Sequence, residues 1–175
     1  IVISSTRETG TIVTLKGSST EPDVSKLNIS GYNTSKYAVK TVKDSSGNWT
    51  VALANNSVEF PTTWKTEIAS STYMTTTVTP ANITSIKFVS SIPTGYTKIG
   101  TLSTGLPVYQ GTTATEIAFV GEKIMAPANS SSLFLDMSNL KAVDFSHFNT
   151  ANVTTMYRMF DSCSKLTSLD LSGFN

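Results

Sequence analysis

Two carboxylates, Asp144 and Asp170, occupy equivalent positions in two stretches that are related by a shift of 26 in sequence number. Residues 143–145 and 169–171 each alternate apolar and polar, which is the pattern of a half-buried strand. Adjacent strands would place the two carboxylates about 5 Å apart, and paired carboxylates at about 5 to 10 Å can hydrolyse glycosides. A repeat creates such a ladder without any catalytic purpose, so we expect a solvated or hydrogen-bonded ladder. A cation or partner site on this face is the weaker alternative.

The single histidine and the single cysteine offer little other chemistry. His147 takes the turn position that Gly173 holds one repeat later, so we expect an exposed side chain. Proton transfer there would need a positioned partner. Cys163 aligns with the apolar Met137, so we expect a buried thiol and not a nucleophile. Phosphate loops, dinucleotide fingerprints and metal-ligand clusters are absent from the sequence. We therefore predict no catalytic residue, no cofactor and no metal, and hence no enzyme.

The amino-acid composition further narrows the functional class of the protein. The 175 residues carry a net charge of +1, and only 14% of them are charged. This balance gives no reason to expect nucleic acid or an anionic membrane as a partner, and no apolar run is long enough to span a bilayer. The 25 serines and 28 threonines favour strands and turns over helices. The last repeat is cut at Asn175, so we interpret the chain as a fragment.

The sequence evidence for the repeat is strong. Residues 133–149 and 159–175 are identical at seven of seventeen positions when shifted by 26. Between the strands, apolar residues follow one another at spacings of 3, 4 and 3, which predicts one face of a helix; they are Val153, Met156, Phe160 and Cys163. A strand, a turn and a helix in each repeat predict a solenoid coil of the leucine-rich type.

Weaker copies extend the repeat towards the amino terminus. The predicted parallel strands are 84–89, 115–120, 141–146 and 167–172. The first two are related by a shift of 31 instead of 26, so we predict an irregular first rung with an inserted loop at 90–111. Terminal repeats are normally atypical because one face must be closed off from water. The last coil leaves Leu169 and Leu171 uncapped, which predicts end-to-end self-association.

Residues 1–80 lack this period and read as short strands separated by Gly, Ser and Asn. The predicted strands are 10–16, 26–31, 38–43, 49–53 and 73–79. The third and fourth alternate across a polar turn and predict a hairpin, so this part is interpreted as a small β-sandwich. Residues 27–33 echo 169–175, but their separation of 142 is no multiple of 26. We interpret the echo as coincidence; the alternative is a solenoid that begins earlier.

Two stretches of the chain resemble known surface proteins. Residues 148–160 read Phe-Asn-Thr-Ala-Asn-Val-Thr-Thr-Met-Tyr-Arg-Met-Phe, and residues 163–172 read Cys-Ser-Lys-Leu-Thr-Ser-Leu-Asp-Leu-Ser. This pattern resembles the BspA-like leucine-rich-repeat surface proteins of bacteria over about residues 113–175. The first repeat departs from it, with Met137 in place of the cysteine, as a capping unit would. Residues 47–53 resemble a hairpin of bacterial immunoglobulin-like surface domains.

The resemblance implies a secreted or cell-surface protein that adheres to host, matrix or bacterial surfaces and has no catalytic residues. We therefore predict an α+β, mostly β chain. Residues 1–80 would form a β-sandwich-like domain, of which an immunoglobulin-like domain is one form. Residues 81–175 would form the capped start of a leucine-rich-repeat solenoid.

The predicted function is a binding or adhesion module whose partners are protein or glycan ligands, not nucleic acid. The predicted binding face comprises the exposed strand residues Lys87, Ala118, Asp144, Ser146, Asp170 and Ser172. A structural stalk or spacer is the second interpretation, and a glycan-acting enzyme is the third.

Overall fold

The chain forms two compact units, Ile1–Ser57 and Val58–Asn175. In this computed structural model, the structure describes residues 10–15, 20–31, 37–43 and 46–175. The sequence placed the boundary between the two parts at residue 80. None of the helices within these described ranges is long and apolar enough to cross a membrane.

Unit 1 contains a three-stranded antiparallel sheet in the order β1-β3-β2. Its strands are β1 (Gly10–Leu15), β2 (Tyr37–Lys43) and β3 (Trp49–Asn55). The predicted hairpin is present, since β2 pairs with β3 from Lys43 opposite Trp49 onward. Gly47 has a φ of +82° in the connecting turn, a conformation that glycine adopts without steric cost.

One other strand prediction for unit 1 is wrong, and parts of two further predictions fall outside the described residues. Residues 26–31 form no strand, because Val24–Lys26 is a 3₁₀ turn and Ser30 makes only an isolated bridge. Residue 16 of the first predicted strand and residues 44 and 45 of the hairpin turn lie outside the described residues. Only one sheet is present in the described part of unit 1, so the sandwich and the immunoglobulin-like fold stay predictions.

Unit 2 is built around a five-stranded mixed sheet in the order β10-β5-β8-β7-β6. A smaller sheet has the order β11-β9-β4. A single α-helix is present in the described residues, α1 (Trp64–Ile68). The strands are β4 (Ser57–Glu59), β5 (Ser85–Val89), β6 (Thr97–Thr101), β7 (Pro107–Gln110), β8 (Glu116–Val120), β9 (Lys123–Met125), β10 (Ala142–Asp144) and β11 (Phe148–Asn149).

The predicted start of a leucine-rich-repeat solenoid is wrong. Stacked coils would place the predicted strands side by side in chain order, but β5 lies between β10 and β8. Residues 167–172 form no strand, and no helix forms anywhere between residues 131 and 163. The sheet is also mixed: β10, β5 and β8 are parallel, whereas β7 and β6 are antiparallel to their neighbours.

The predicted helix does not form because some residues of each repeat adopt a left-handed backbone conformation. Ser132 and Asp136 have φ values of +57° and +62°, and their equivalents Arg158 and Ser162 have +56° and +63°. An α-helix cannot contain left-handed residues every four positions. The apolar spacing of 3, 4 and 3 therefore marked which side chains face the core, not which backbone conformation they adopt.

The region predicted as an inserted loop is ordered into strands. β6 and β7 pair as an antiparallel hairpin that extends the sheet beyond β8. The predicted strand 73–79 is reduced to an isolated bridge between Met74 and Gly100. A Cβ at Gly100 would lie 2.3 Å from the carbonyl oxygen of Tyr73, so this close approach requires glycine.

The core of unit 2 is an aromatic cluster centred on Phe60. The ring of Phe60 lies within 6.5 Å, centroid to centroid, of five other rings: Trp64, Phe88, Phe119, Phe134 and Phe148. Three of these contacts are edge-to-face, an arrangement favoured by the ring quadrupole. Trp64 is fully buried, as ordinary packing requires.

We predict that Phe60→Ala destabilises unit 2 by about 3–5 kcal/mol, because it removes a large buried side chain and leaves a cavity among five rings. Urea unfolding of a Trp49→Phe background, in which fluorescence reports Trp64 alone, measures this loss. Tyr157→Ala is the matched control, since Tyr157 is 72% exposed and its loss should change stability by less than about 0.5 kcal/mol. Equal losses in the two variants would contradict the central place of Phe60.

Candidate functional site

A groove of about 560 Å³ lies beside the carboxyl ends of β10 and β11 in unit 2. It brings together four residues of the predicted binding face, namely Asp144, Ser146, Asp170 and Ser172. Its other polar lining residues are Glu122, Lys123, His147 and Asn149, and its apolar ones include Val143, Phe145 and Phe148. The groove therefore combines a carboxylate pair with an apolar wall.

The two carboxylates of the groove are held by the same local device. Asp144 Oδ1 accepts a hydrogen bond from the backbone N–H of Ser146 at 2.9 Å, and Asp170 Oδ1 accepts one from Ser172 at 2.9 Å. Such Asx turns fix a side chain against its own backbone. The hydroxyl and the amide of Ser172 also hold the pKa of Asp170 below its usual range, so this group is ionised at neutral pH.

The core fixes the position of the Asp144 turn. β10 runs parallel to β5, and beyond its end the backbone N–H of His147 and the hydroxyl of Ser146 both donate to the carbonyl of Phe88, at 3.0 and 3.2 Å. Beneath them, the ring of Phe145 stacks on Phe88 at 5.6 Å with an interplanar angle of 8°. The groove floor is thus continuous with the aromatic cluster, which limits its motion.

The remaining residues of the predicted face do not join the groove. Lys87 lies in register with Asp144 on one side and with Ala118 on the other, but its Nζ lies 5.3 Å from the ring centroid of Tyr96. Ala118 is fully buried, so its predicted exposure is wrong. Lys87 and Tyr109 flank it in register on the two neighbouring strands, and both side chains are much larger than a methyl group.

His147 lines the groove but has no carboxylate partner within hydrogen-bond reach in the described part of the chain. Its Nδ1 lies 2.9 Å from the carbonyl oxygen of Glu122, which fixes the ring through the backbone. It is half-buried instead of exposed as predicted. This arrangement lacks the oriented acid–base pair that general acid–base catalysis uses.

Cys163 is the buried thiol that the sequence predicts. Its side chain is 8% exposed, and its Sγ lies 3.1 Å from the carbonyl oxygen of Phe134. Burial raises the pKa of this thiol above its ordinary value. A neutral thiol is a poor nucleophile and a poor metal ligand.

The formal charges around the groove have an acidic excess. Three carboxylates line it, those of Glu122, Asp144 and Asp170, against one ammonium, that of Lys123. No group of three or more His, Cys, Asp or Glu side chains is arranged to hold a metal ion in the ranges that the structure describes. The groove therefore offers hydrogen-bond acceptors to a cationic or hydroxyl-bearing ligand.

A second pocket of about 370 Å³ surrounds Glu67 on α1. The carboxylate of Glu67 accepts hydrogen bonds from the hydroxyl of Thr63 at 2.6 Å and from both the amide and the hydroxyl of Ser103 at 2.8 Å. Its side chain is 5% exposed. Since these bonds tie α1 to the turn between β6 and β7, we interpret Glu67 as a structural lock. The sequence carried no signal for it, because its partner lies 36 residues away.

No family model matches the chain, and no curated protein or solved structure is significantly similar to it. The resemblance of residues 113–175 to BspA-like surface proteins therefore stays a prediction.

We predict that the lock at Glu67 makes unit 2 less stable in acid. Burial of this carboxylate works to raise its pKa, but the hydrogen bonds from Thr63 and Ser103 lower it more, and the net pKa lies below the ordinary value. The stabilisation is then fully present above about pH 4.3, the pKa of an unfolded glutamate, and is lost as the pH falls through the lower folded-state pKa.

Urea unfolding between pH 2 and 7 tests this prediction in the wild type and in Glu67→Gln. The variant should be less stable at pH 7 and should lose less stability on acidification than the wild type does. Glu59→Gln, at an exposed position in β4, controls for the removal of one carboxylate. An unchanged acid dependence in Glu67→Gln would mean that the lock does not exist.

Proposed function

We propose that this protein is a binding module of a surface protein, and that it recognises protein or glycan ligands on host or bacterial surfaces through the Asp144–Asp170 groove. One observation carries the proposal: two equivalent Asp-x-Ser turns, one repeat apart in sequence, line the same groove. The duplication gives the ligand two equivalent acceptor groups beside the ring of Phe145, which stacks on the core.

The chemistry of the groove favours recognition over turnover. Because the Asx turns already orient both carboxylates, little side-chain entropy is lost when they accept hydrogen bonds from a ligand. Lysine, arginine and sugar hydroxyls are suitable donors for them. The half-buried ring of Phe145 at the groove floor supplies an apolar surface for the aliphatic part of such a ligand.

The proposed location is the cell surface or the extracellular space. Two features of the sequence support it: few charged residues with many hydroxyl-bearing ones, and the resemblance of residues 113–175 to bacterial surface proteins. End-to-end self-association, which would involve the apolar side chains of Leu169 and Leu171, is a separate proposal.

A binding screen of the 175-residue chain against host matrix proteins and immobilised glycans tests the function. Asp144→Asn with Asp170→Asn removes both charges and keeps the side-chain shape, so affinity for any captured ligand should fall at least about tenfold, or about 1.4 kcal/mol. The control, Asp23→Asn with Glu59→Gln, makes the same charge change at exposed positions that do not line the groove. Its affinity should stay within about twofold.

Three outcomes would each remove this proposal. If the groove variant and the control lose affinity equally, the groove is not the binding site. If the wild type hydrolyses a glycan and the groove variant does not, then Asp144 and Asp170 act as a catalytic carboxylate pair and the protein is a glycosidase. If no ligand is captured at all, the groove proposal fails, and this result favours the interpretation as a stalk or spacer.

A further inference from the structure

One edge of unit 2 carries a row of backbone donors. In the described residues, no acceptor lies within hydrogen-bond reach of the N–H groups of Met156, Arg158, Phe160 and Ser162. These four residues alternate along one segment, here called the donor edge (residues 156–162). Such a row of unpaired N–H groups is a template for pairing with another backbone.

The same row is satisfied one repeat earlier in the chain. The N–H groups of the four equivalent residues donate to carbonyl oxygens at distances of 2.9–3.0 Å: Ser130 to Thr155, Ser132 to Tyr157, Phe134 to Met159 and Asp136 to Asp161. Every bond runs in the same direction, from the earlier segment to the later one. The chain thus shows how such a row of donors is satisfied: residues 155–161 supply an accepting carbonyl at every second residue.

Most carbonyls of the donor edge are already engaged, so they cannot balance its donors. The carbonyl oxygens of Met156, Arg158 and Phe160 already accept N–H groups three residues later, at 3.1–3.2 Å. An occupant must therefore bring acceptors and need not bring donors. A small anion would engage only one or two of the four N–H groups, whereas a polypeptide can reach them all.

Side chains of α1 bind carbonyls on the opposite side of the earlier segment. The indole Nε1 of Trp64 donates to the carbonyl of Leu133 at 3.0 Å, and Lys65 Nζ donates to that of Leu135 at 2.9 Å. Two carbonyls on the acceptor side of this two-segment array are thus capped within the chain, whereas the four N–H groups of the donor edge have no partner in the described residues.

Apolar side chains accompany the open donors. Five half-buried residues of the last repeat pack against the core from this region: Val153, Met156, Phe160, Leu166 and Phe174. Tyr157, within the donor edge, is 72% exposed. Covering these side chains would add hydrophobic stabilisation to the backbone hydrogen bonds.

We propose that the donor edge binds a polypeptide segment that presents backbone carbonyl oxygens at every second residue, together with an apolar side chain over Phe160. This site is separate from the Asp144–Asp170 groove and does not depend on its function. A second folded copy of the chain does not supply the occupant. In such a copy, the alternate carbonyls of residues 155–161 already accept the N–H groups of residues 130–136. Two donor edges cannot pair with each other, because both present N–H groups.

Amide hydrogen exchange measured by NMR on the 175-residue chain tests the proposal. In the free protein, the amides of Ser130, Ser132, Phe134 and Asp136 should exchange slowly, and those of the donor edge quickly. The probe is an N-acetylated synthetic peptide of residues 149–175, whose carbonyls are free when it is unfolded. Saturating peptide should slow exchange at the four donor-edge amides by at least about tenfold, while a scrambled peptide of the same composition should not.

An amide-to-ester substitution at Phe160, made by incorporating L-phenyllactate, removes one donor and keeps the side chain. Because this N–H has no partner in the free protein, any loss of stability should come only from the weaker ester carbonyl of Met159, which accepts the N–H of Phe134 at 2.9 Å. The peptide affinity of the folded variant should fall about two- to tenfold. The groove variant, Asp144→Asn with Asp170→Asn, should bind the peptide as the wild type does. This separates failure at the donor edge from failure of the groove.

Three results would each overturn the proposal. The first is unchanged exchange at all four donor-edge amides at millimolar peptide. The second is equal peptide affinity in the ester variant and the wild type. The third is a dimer in light scattering whose four donor-edge amides are already protected without peptide, because the occupant would then be a second copy.

Discussion

The contact of Phe60 with five other aromatic rings is the interaction on which the rest of unit 2 depends. It joins the segment before α1 to the strands β5, β8 and β11 and to the turn segment around Phe134. From Phe88, stacking continues to Phe145 under the groove. A single apolar cluster therefore holds the sheet, the turn segments and the candidate site in one geometry.

A second constraint acts through the backbone. Left-handed residues at equivalent positions of both repeats turn alternate N–H groups of residues 130–136 towards the carbonyls of residues 155–161. On one side of this one-way pairing, Trp64 and Lys65 bind two of the carbonyls. The donor edge lies on the other side and is open. The two proposed surfaces differ accordingly: the groove presents acceptors to a ligand, and the donor edge presents donors.

The sequence determined which residues are equivalent. The repeat period predicted that Asp144 and Asp170 share a surface, that Cys163 is buried, and that β5, β8 and β10 are strands. These inferences succeed because apolar and polar alternation depends on burial, which local sequence records. The alternation of apolar and polar residues does not report the sign of φ. The spacing of Val153, Met156 and Phe160 therefore predicted a helix where the backbone forms left-handed turns.

Tertiary structure alone decided the order of the strands and the partners of the capping residues. The placement of β5 between β10 and β8 follows from packing Phe88 between Phe119 and Phe145, which no periodicity expresses. Trp64 and Glu67 act through hydrogen-bond partners that lie 69 and 36 residues away along the chain. Except for Trp64, the rings around Phe60 are similarly distant in sequence. A sequence pattern reports what recurs nearby, whereas these residues act once, through partners that only the folded chain brings within reach.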